Sequence, residues 1–483
     1  MTEVKKINAT KPRDWLYQSE GLIPLFSRLV GLISLPIGGV VWFFSHSGCG
    51  GELYPGPFNV PAWRFGSYLV PVPLPPEPVN IIVFALFGLA AVLLIVGKNS
   101  RPLYIYMASV LAYYCSRDFF VCMLHWVLLN FLFLLALAFR CQNASGAKEP
   151  SAESRSPARR LIQLTICSCY LFGVLQKLFY PDWCQGLSLE AAFYDGFAVT
   201  APFRPLFINH PLPLSIWQAN AIFLLFAETF IGLGLFFKPT RIAACILGFF
   251  LHGGILVMMD PLLSLFSLEM WLGYLAFFEK RRKKAPAGQQ TSAEAPDPAP
   301  EPAPTLAPTP DQTTPPQASP IKTALALAYL ALIIIMPMRI YFLPGPPPEL
   351  LTLFERTPWT FGMFLMRQKQ GSLEIAYEDQ NAVRHVLEPS GRMKTASNDN
   401  ELIAIAEYVF RQHPEAKKVS VNALIVVNER RQILRTLIWD KATSSAANSA
   451  ASSCGSQPHI SVIDAGQYCR GVANKNPAGD RHP

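Results

Sequence analysis

Residues 161–180 read LIQLTICSCYLFGVLQKLFY, a run of twenty residues in which Lys177 is the only charged side chain. A helix needs about 20 predominantly apolar residues to cross the hydrocarbon core of a bilayer. A lysine inside such a helix costs roughly 2.5–3.5 kcal/mol on insertion, so it usually faces a partner or a cavity. Lys177 is therefore either a functional residue, or a side chain that extends its long stem to an interface close to Asp182 and Trp183.

Other stretches of the chain are similarly apolar. They are Ile23–Phe44, Val79–Val96, Pro102–Tyr114, Phe119–Phe139, Ile216–Phe237, Ile242–Met259, Leu262–Phe278 and Thr323–Phe342. The chain is 51% hydrophobic and 15% charged, whereas soluble proteins contain about 25% charged residues. We predict an all-α polytopic membrane bundle of about nine transmembrane helices, of which Pro102–Tyr114 is the shortest candidate.

Basic clusters alternate along the chain with loops that contain few cations. The clusters lie near the N-terminus and around residues 98–101, 155–160, 238–241 and 280–284. By the positive-inside rule, the N-terminus is cytoplasmic and nine spans leave the C-terminal part outside the inner or plasma membrane. Residues 1–19 are polar, lack a cleavage pattern and are typical of a cytoplasmic tail. This placement accounts for the net charge of +8, so the expected partner is the lipid bilayer and not a nucleic acid.

Composition divides the rest of the chain. The bundle spans residues 20–280, a Pro-rich cytoplasmic linker spans 281–320, and a last transmembrane helix spans 321–343. The linker is either a spacer or a segment that a polyproline-binding partner recognises. Residues 441–483 are predicted to be a largely disordered tail, because they are rich in Ser, Ala and polar residues.

Residues 344–440 have the patterns of a C-terminal extracytoplasmic α+β domain. Apolar and polar residues alternate over Gly371–Val386, which predicts a strand. Glu401–Gln412 has helical periodicity, with Leu402, Ile405, Ala406 and Val409 on one side. Val419–Val427 and Gln432–Trp439 are β-rich and predict a hairpin.

The sequence contains no recognisable metal or nucleotide motif. The ten cysteines follow no metal spacing, and there is no P-loop, Gly-rich dinucleotide fingerprint or paired-His motif. We therefore expect no bound metal. Cys49, Cys184, Cys454 and Cys469 lie on the predicted outer side, where an oxidising compartment permits disulfides.

Three stretches carry a resemblance to one family. Tyr170–Leu189 has an aromatic residue, a glycine and Lys177-Leu178, then Trp183 and Gly186. Phe226–Met270 contains Glu228, a basic turn, His252-Gly253 and Phe266. The third stretch lies in the outer domain and consists of Trp359-Thr-Phe-Gly-Met363, Arg367, Lys369, Ile375, Asn428 and Arg430. Together they resemble the vitamin K-dependent γ-carboxylases and their bacterial relatives with the horizontally transferred transmembrane (HTTM) domain, over roughly residues 20–440.

The resemblance implies a chemistry for Lys177. In the family, a lysine deprotonates a reduced naphthoquinone, such as vitamin K hydroquinone or a menaquinol. The quinol anion reacts with O2 to give a strong alkoxide base and an epoxide. That base removes a glutamate γ-proton, and CO2 captures the carbanion. A lysine can be the first base only when it is neutral, and burial in a bundle favours the neutral amine.

The resemblance also implies further site residues and partners. His252 would be a second catalytic residue, and the substrate or cofactor pocket would contain Gln176, Trp183, Glu228, Arg117 and Met270. The outer-domain residues would be Trp359, Arg367, Asn428 and Arg430. The implied partners are an exported peptide or protein substrate and a quinone reductase.

Simpler interpretations of these residues remain open. His252 can be a histidine bonded to a neighbouring helix, and Trp183 can belong to an interfacial aromatic belt. Glu228 can pair with a cation or polar group in the bundle, such as Gln163, Gln176 or Arg28. Arg117 can form a local ion pair with Asp118.

One departure from the family bears on the chemistry. The carboxylases have an Asn-His pair where residues 115–124 of this chain read CSRDFFVCML, and His125 follows only later. A relative that uses another quinol or performs another oxygen reaction fits as well. The alternative from a different class is a non-catalytic membrane binding or maturation factor for an exported peptide.

Overall fold

The computed structural model describes residues 16–45, 64–65, 68–69, 72–73, 75–117, 125–140, 155–179, 181–194, 202–259, 261–279, 320–342, 368–389, 399–427, 431–440 and 459–464. These residues are mostly helical, with a small antiparallel sheet in the C-terminal region. The Pro-rich linker and the tryptophan and arginine of the outer segment, Trp359 and Arg367, lie outside the described residues, as do Asn428 and Arg430.

Every apolar stretch predicted from the sequence falls on a helix. The helices up to residue 342 are α1 (Ile23–Ser45), α2 (Glu77–Ile95), α3 (Arg101–Arg117), α4 (His125–Leu137), α5 (Ala158–Leu178), α6 (Pro181–Cys184), α7 (Leu187–Tyr194), α8 (Arg204–Asn209), α9 (Leu214–Gly234), α10 (Arg241–Met258), α11 (Pro261–Tyr274) and α12 (Pro320–Phe342). Within the described residues, five of these helices, α1, α2, α5, α9 and α10, are long and apolar enough to cross a membrane. This finding supports the prediction of a membrane protein.

Helix α5 lies at the centre of the bundle. In its most apolar window 67% of the residues are buried, against 17% for α10, and it packs against α4, α9, α11 and α12. The outer helices instead expose large apolar side chains, such as Phe226 on α9 and Phe250 on α10. Apolar residues that face outwards suit a lipid environment, whereas polar residues in such a bundle turn inwards.

Proline and glycine set the ends of α2. Pro76 precedes the helix and Pro78 occupies its first turn. The N–H groups of the first turn have no partner within the helix, so a proline, which lacks an N–H, costs no hydrogen bond there. At the other end Gly97 has φ +85°, its N–H bonds the carbonyl of Leu94, and the Lys98 N–H bonds that of Leu93. This pair of bonds is a Schellman ending, which favours glycine at the left-handed position.

Hydrogen bonds from two arginines of the predicted cytoplasmic clusters, and from a nearby glutamine, stabilise the C-terminal end of α11. Helix α11 continues as a 3₁₀ turn, Leu275–Phe277. Arg159 Nε and Gln163 Nε2 both donate to the carbonyl of Ala276, at 2.7 and 2.8 Å, and Arg241 donates to that of Phe277 at 2.9 Å. Cations near a helix C-terminus satisfy carbonyls that have no partner within the helix.

The C-terminal sheet confirms the predicted strands, helix and hairpin. Two short ladders precede it, β1 (Gln18–Ser19) with β4 (Arg155–Ser156) and β2 (Arg64–Phe65) with β3 (Tyr68–Leu69). The sheet consists of β5 (Gln368–Glu378), β6 (Arg384–Leu387), β7 (Lys418–Val427), β8 (Arg431–Asp440) and β9 (His459–Asp464), and α13 (Asp399–Gln412) precedes β7. Its order is β6-β5-β7-β8-β9, antiparallel throughout. The predicted apolar side of α13 is buried together with inward-facing residues of β7.

The structure corrects one strand of this domain and adds another. The single strand predicted over Gly371–Val386 is two strands, because Asp379 accepts backbone hydrogen bonds from Asn381 and Val383 and so forms a turn. Strand β9 pairs with β8, although it lies within residues 441–483, which composition predicted to be largely disordered. The serine- and alanine-rich composition around this strand concealed it in the sequence.

Candidate functional site

Lys177 lies in the last turn of α5 and is buried, with 6% of its side chain exposed. Its Nζ donates to both carboxylate oxygens of Glu228 on α9, at 2.6 Å for Oε2. Only 14% of the Glu228 side chain is exposed. A buried lysine bonded to a carboxylate from another helix does not extend to an interface, so the snorkelling interpretation of Lys177 is wrong.

Trp183 forms the wall beside this ion pair. Lys177 Nζ lies 4.7 Å from the centre of the Trp183 ring, which is cation–π distance, and Trp183 is 1% exposed. The interfacial-belt interpretation of Trp183 is therefore corrected to that of a cavity wall or packing residue. Short helix α6 carries this tryptophan back over the end of α5, because Pro181 starts a new helix immediately after the last turn of α5.

Glu228 pairs with a cation of the bundle, as the sequence suggested, but the cation is Lys177 and none of the three residues named as examples. Gln163 donates to the α11 terminus and accepts from Arg160 instead, while Arg28 lies against Gly97. Gln176, next to Lys177 in the chain, is completely buried, and neither atom of its amide has a hydrogen-bond partner among the described residues. The sequence did not single out Lys177 among the possible partners, because no pattern along the chain specifies which faces of α5 and α9 meet.

His252 joins the same region through a hydrogen-bonded chain. Its Nε2 lies 2.7 Å from the hydroxyl of Tyr170, which is also hydrogen bonded to the hydroxyl of Tyr274. These three side chains come from α10, α5 and α11 and are all buried. Lys177 is close enough to act electrostatically on His252, and Glu228 on Tyr170. We call Lys177, Glu228, Trp183 and His252, with the two tyrosines, the Lys177 cluster.

His125 approaches the cluster although the sequence comparison set it aside. The centre of its ring lies 6.4 Å from that of Phe266 on α11. The centre of the Phe266 ring in turn lies 5.7 Å from that of His252. Phe266 thus contacts both histidines. The contact joins segments more than 100 residues apart, so it could not be predicted from the sequence. The only signal was that His125 is a polar residue at the start of the apolar helix α4.

The other residues that the sequence selected have different surroundings. Met270 is buried in the apolar core of the bundle. Arg117 is buried at the end of α3, where it acts electrostatically on Tyr114. The four outer-domain candidates, and Asp118 beside Arg117, fall outside the described residues. Cys184 forms no disulfide with any described residue.

Gly186 allows the turn between α6 and α7, next to the Lys177 cluster, to pack closely on α9. Gly186 has φ +79°, and a Cβ built on it would lie 2.4 Å from the backbone nitrogen of Gln218. The turn between α6 and α7 therefore presses directly on the first turns of α9. Trp217 in α9 packs on Phe193 and Phe207, with ring centres 5.1 and 6.0 Å away. Trp183, Trp217 and the core of the sheet domain belong to one continuous apolar cluster.

Sequence reasoning missed a buried acid on α11. Glu269 is 0% exposed and neither carboxylate oxygen has a hydrogen bond of normal geometry among the described residues, although Asn130 of α4 lies within electrostatic range. An acid inside the apolar run Leu262–Phe278 was a signal in the sequence, since ionisable residues inside membrane helices usually have a role. Within the described residues no group of three or more His, Cys, Asp or Glu side chains is placed to hold a metal ion.

A second cluster of titratable side chains lies on the sheet domain. The ring of Tyr377 is stacked between His385 and His413, with centres 4.8 and 4.6 Å away. His385 bonds Asp379 and His413 bonds Glu415, each at 3.1 Å. The hydrogen bond from His385 lowers the pKa of Asp379, and that of Glu415 is lowered by its own backbone N–H and by His413.

These lowered pKa values predict an acid-sensitive domain. A carboxyl group whose folded pKa is depressed stabilises the fold above its unfolded pKa, and this contribution is lost as the pH falls through the folded value. We expect the protection of backbone amides in β5 and β7 against hydrogen exchange, relative to their intrinsic rates, to fall below about pH 4 in the full chain in detergent. Changing both His385 and His413 to Gln should reduce the acid dependence, whereas the exposed His459→Gln should not. Equal acid dependence in all three proteins would contradict the prediction.

Comparison with known proteins adds no relative. No family model, no curated protein and no solved structure matches this chain. The assignment of a function therefore depends on the chemistry of the Lys177 cluster.

Proposed function

We propose that this chain is an integral membrane enzyme of the vitamin K-dependent γ-carboxylase-like type. It would use a reduced naphthoquinone and O2 to generate a strong base, with quinol epoxidation as the primary reaction and carboxylation of Glu in an exported peptide or protein as the coupled one. The observation that carries the proposal is the buried Lys177–Glu228 pair inside an aromatic-walled, membrane-type bundle.

The pair gives Lys177 a way to become a base. As an ion pair, Lys177 is an ammonium group and cannot take a proton. Both oxygens of Glu228 contact Nζ, so the proton can move along this hydrogen bond to the carboxylate and leave a neutral amine. Glu228 would thus hold the proton while Lys177 receives another from the substrate.

The residues of the cluster fit a naphthoquinone. Such a ligand has a flat apolar ring with oxygen atoms at opposite ends. Trp183 and Phe266 supply aromatic surface, while His252 Nδ1 and the amide of Gln176 are buried polar groups without partners among the described residues. Buried polar groups are nearly always hydrogen bonded, and an exception invites an explanation. When bound, the reduced quinone would supply the electrons that convert O2 into the strong base.

The proposed topology follows the charges. We infer that nine helices, α1 to α5 and α9 to α12, lie in the membrane, with the N-terminus cytoplasmic and the sheet domain on the outer side of an inner or plasma membrane. The basic residues Arg159 and Arg241 share one end of the bundle with the terminus of α11, and the positive-inside rule assigns that end to the cytoplasm. On this topology an exported peptide reaches the sheet domain, and a quinone reductase regenerates the quinol.

The test of the proposal is direct. Purified protein in detergent is incubated with vitamin K hydroquinone or with menaquinols, and the epoxide is measured by chromatography. We expect epoxide that depends on O2 and on native protein, with heat-treated protein as the control. Absence of epoxide with every quinol would remove the enzyme proposal and leave the membrane binding or maturation factor. Incorporation of labelled CO2 into Glu-containing peptides then tests the coupled reaction.

A further inference from the structure

With a neutral His252 ring, two arrangements of the hydrogen atoms let Tyr170 donate a hydrogen bond within the chain Tyr274–Tyr170–His252. In the first, Tyr274 donates to Tyr170, and Tyr170 donates to Nε2 of His252, so that the ring proton lies on Nδ1. In the second, Nε2–H donates to Tyr170, and Tyr170 donates to Tyr274. Both arrangements keep the same two contacts. They differ in which buried donor and acceptor groups have no hydrogen-bond partner, and this difference decides the tautomer.

The surroundings of Tyr274 favour the first arrangement. Its hydroxyl is packed so closely against α10 that a Cβ at Gly248 would lie 2.0 Å from it, and Tyr170 is its only hydrogen-bond partner among the described residues. The second arrangement would leave the Tyr274 O–H and the lone pair of Nδ1 both unsatisfied. The first leaves one buried donor, the Nδ1–H. Each buried group without a partner is unfavourable, so the first arrangement has the lower energy.

A doubly protonated ring is a poor third choice. His252 is 2% exposed and lies within electrostatic range of Lys177. A second buried cation without a carboxylate of its own would be costly. His252 is therefore a neutral ring whose Nδ1–H has no partner among the described residues.

We infer that Tyr170 and Tyr274 are positioning residues. They hold His252 in the tautomer protonated at Nδ1, so that the ring donates a hydrogen bond to a carbonyl or phenolic oxygen of a lipophilic ligand at the Lys177 cluster. The identity of this ligand as a naphthoquinone rests on the proposed function, whereas the tautomer does not.

Nitrogen NMR of protein with isotope-labelled histidine tests the tautomer without any turnover. The His252 signal is identified by its loss in His252→Asn. We expect protonation at Nδ1 in the unchanged protein, and a shift towards Nε2 protonation in Tyr170→Phe. Gly248→Ala displaces the Tyr274 hydroxyl at the far end of the chain. Tyr170 can still donate to Nε2 in this variant, so we expect a smaller shift in the same direction, caused by the loss of the donor that polarises Tyr170.

The matched control is Tyr329→Phe. Tyr329 on α12 is also buried and its hydroxyl bonds Thr165 of α5 at 2.6 Å, but it is not part of the chain to His252. This variant should leave the His252 signal unchanged. Protonation at Nε2 in the unchanged protein, or no shift in both Tyr170→Phe and Gly248→Ala, would overturn the inference.

A binding measurement separates this inference from the proposed function. Menadione, a naphthoquinone without a side chain, should perturb the Nδ1 signal and bind roughly five- to tenfold more weakly to Tyr170→Phe, the effect of one hydrogen bond. An Nδ1-protonated ring that does not respond to menadione would confirm the positioning role and count against a naphthoquinone as the ligand.

Discussion

Changing Lys177 to Ala is expected to lower the rate of quinol-dependent epoxide formation by about 10²–10⁴-fold, the usual contribution of a general base. The protein should also lose stability, because Glu228 would be left as a buried carboxylate without its cation. Removing one member of a buried ion pair typically costs about 3–5 kcal/mol. Epoxide measured by chromatography, and thermal unfolding followed in detergent, report the two effects separately.

A double variant separates catalysis from folding. In Lys177→Met with Glu228→Gln, both charges are absent and the side chains keep similar volumes, so folding should recover while epoxide formation should not. Lys238→Ala, at an exposed turn after α9, removes a lysine without touching the cluster and should behave like the unchanged protein. Epoxide formation by the double variant would rule out Lys177 as the base. A binding or maturation factor would instead keep its cellular function in both Lys177 variants.

Among glycine-to-alanine substitutions in the described part of the chain, each of which adds one methyl group, Gly186→Ala should destabilise the fold most. The residue has φ +79°, a conformation that costs L-residues roughly 1–2 kcal/mol. The added Cβ would meet backbone atoms of Trp217 and Gln218 at 2.6 and 2.4 Å, and backbone cannot rotate away as a side chain can. We expect a loss of about 3 kcal/mol or more and reduced epoxide formation, since Trp183 and Trp217 would move apart.

Two other glycines provide controls for this substitution. Gly39 in α1 and Gly88 in α2 have no atom within 4 Å of a built Cβ. Alanine at either position should be neutral or stabilising by up to about 1 kcal/mol, because alanine favours the helix. Thermal unfolding of the three variants in one detergent makes the comparison. A Gly186→Ala protein as stable as these controls would show that the turn between α6 and α7 does not press on α9.

The helices were predictable from the sequence because their cause is local. Each apolar stretch of 13 to 22 residues needs only its own composition to favour a helix in an apolar environment, and each of them falls on a helix of the structure. The hairpin of β7 and β8 was predictable for the same reason, because only residues 428–430 separate its two paired strands. Strand β9 was not, since its pairing with β8 crosses residues 441–458 and its own pattern is short.

The candidate site shows where local reasoning ends. Lys177 was recognisable at once, because a lone cation in an apolar run is energetically conspicuous whatever surrounds it. Its contacts were not. Glu228, Trp183 and the chain from Tyr274 to His252 come from helices α9, α6, α11 and α10, and no pattern along the chain specifies which faces of these helices meet. Composition and periodicity therefore determined the membrane helices and the unusual lysine, whereas helix packing decided that this lysine is held by a carboxylate against an aromatic wall, because partner choice is set by contacts between residues distant in the sequence.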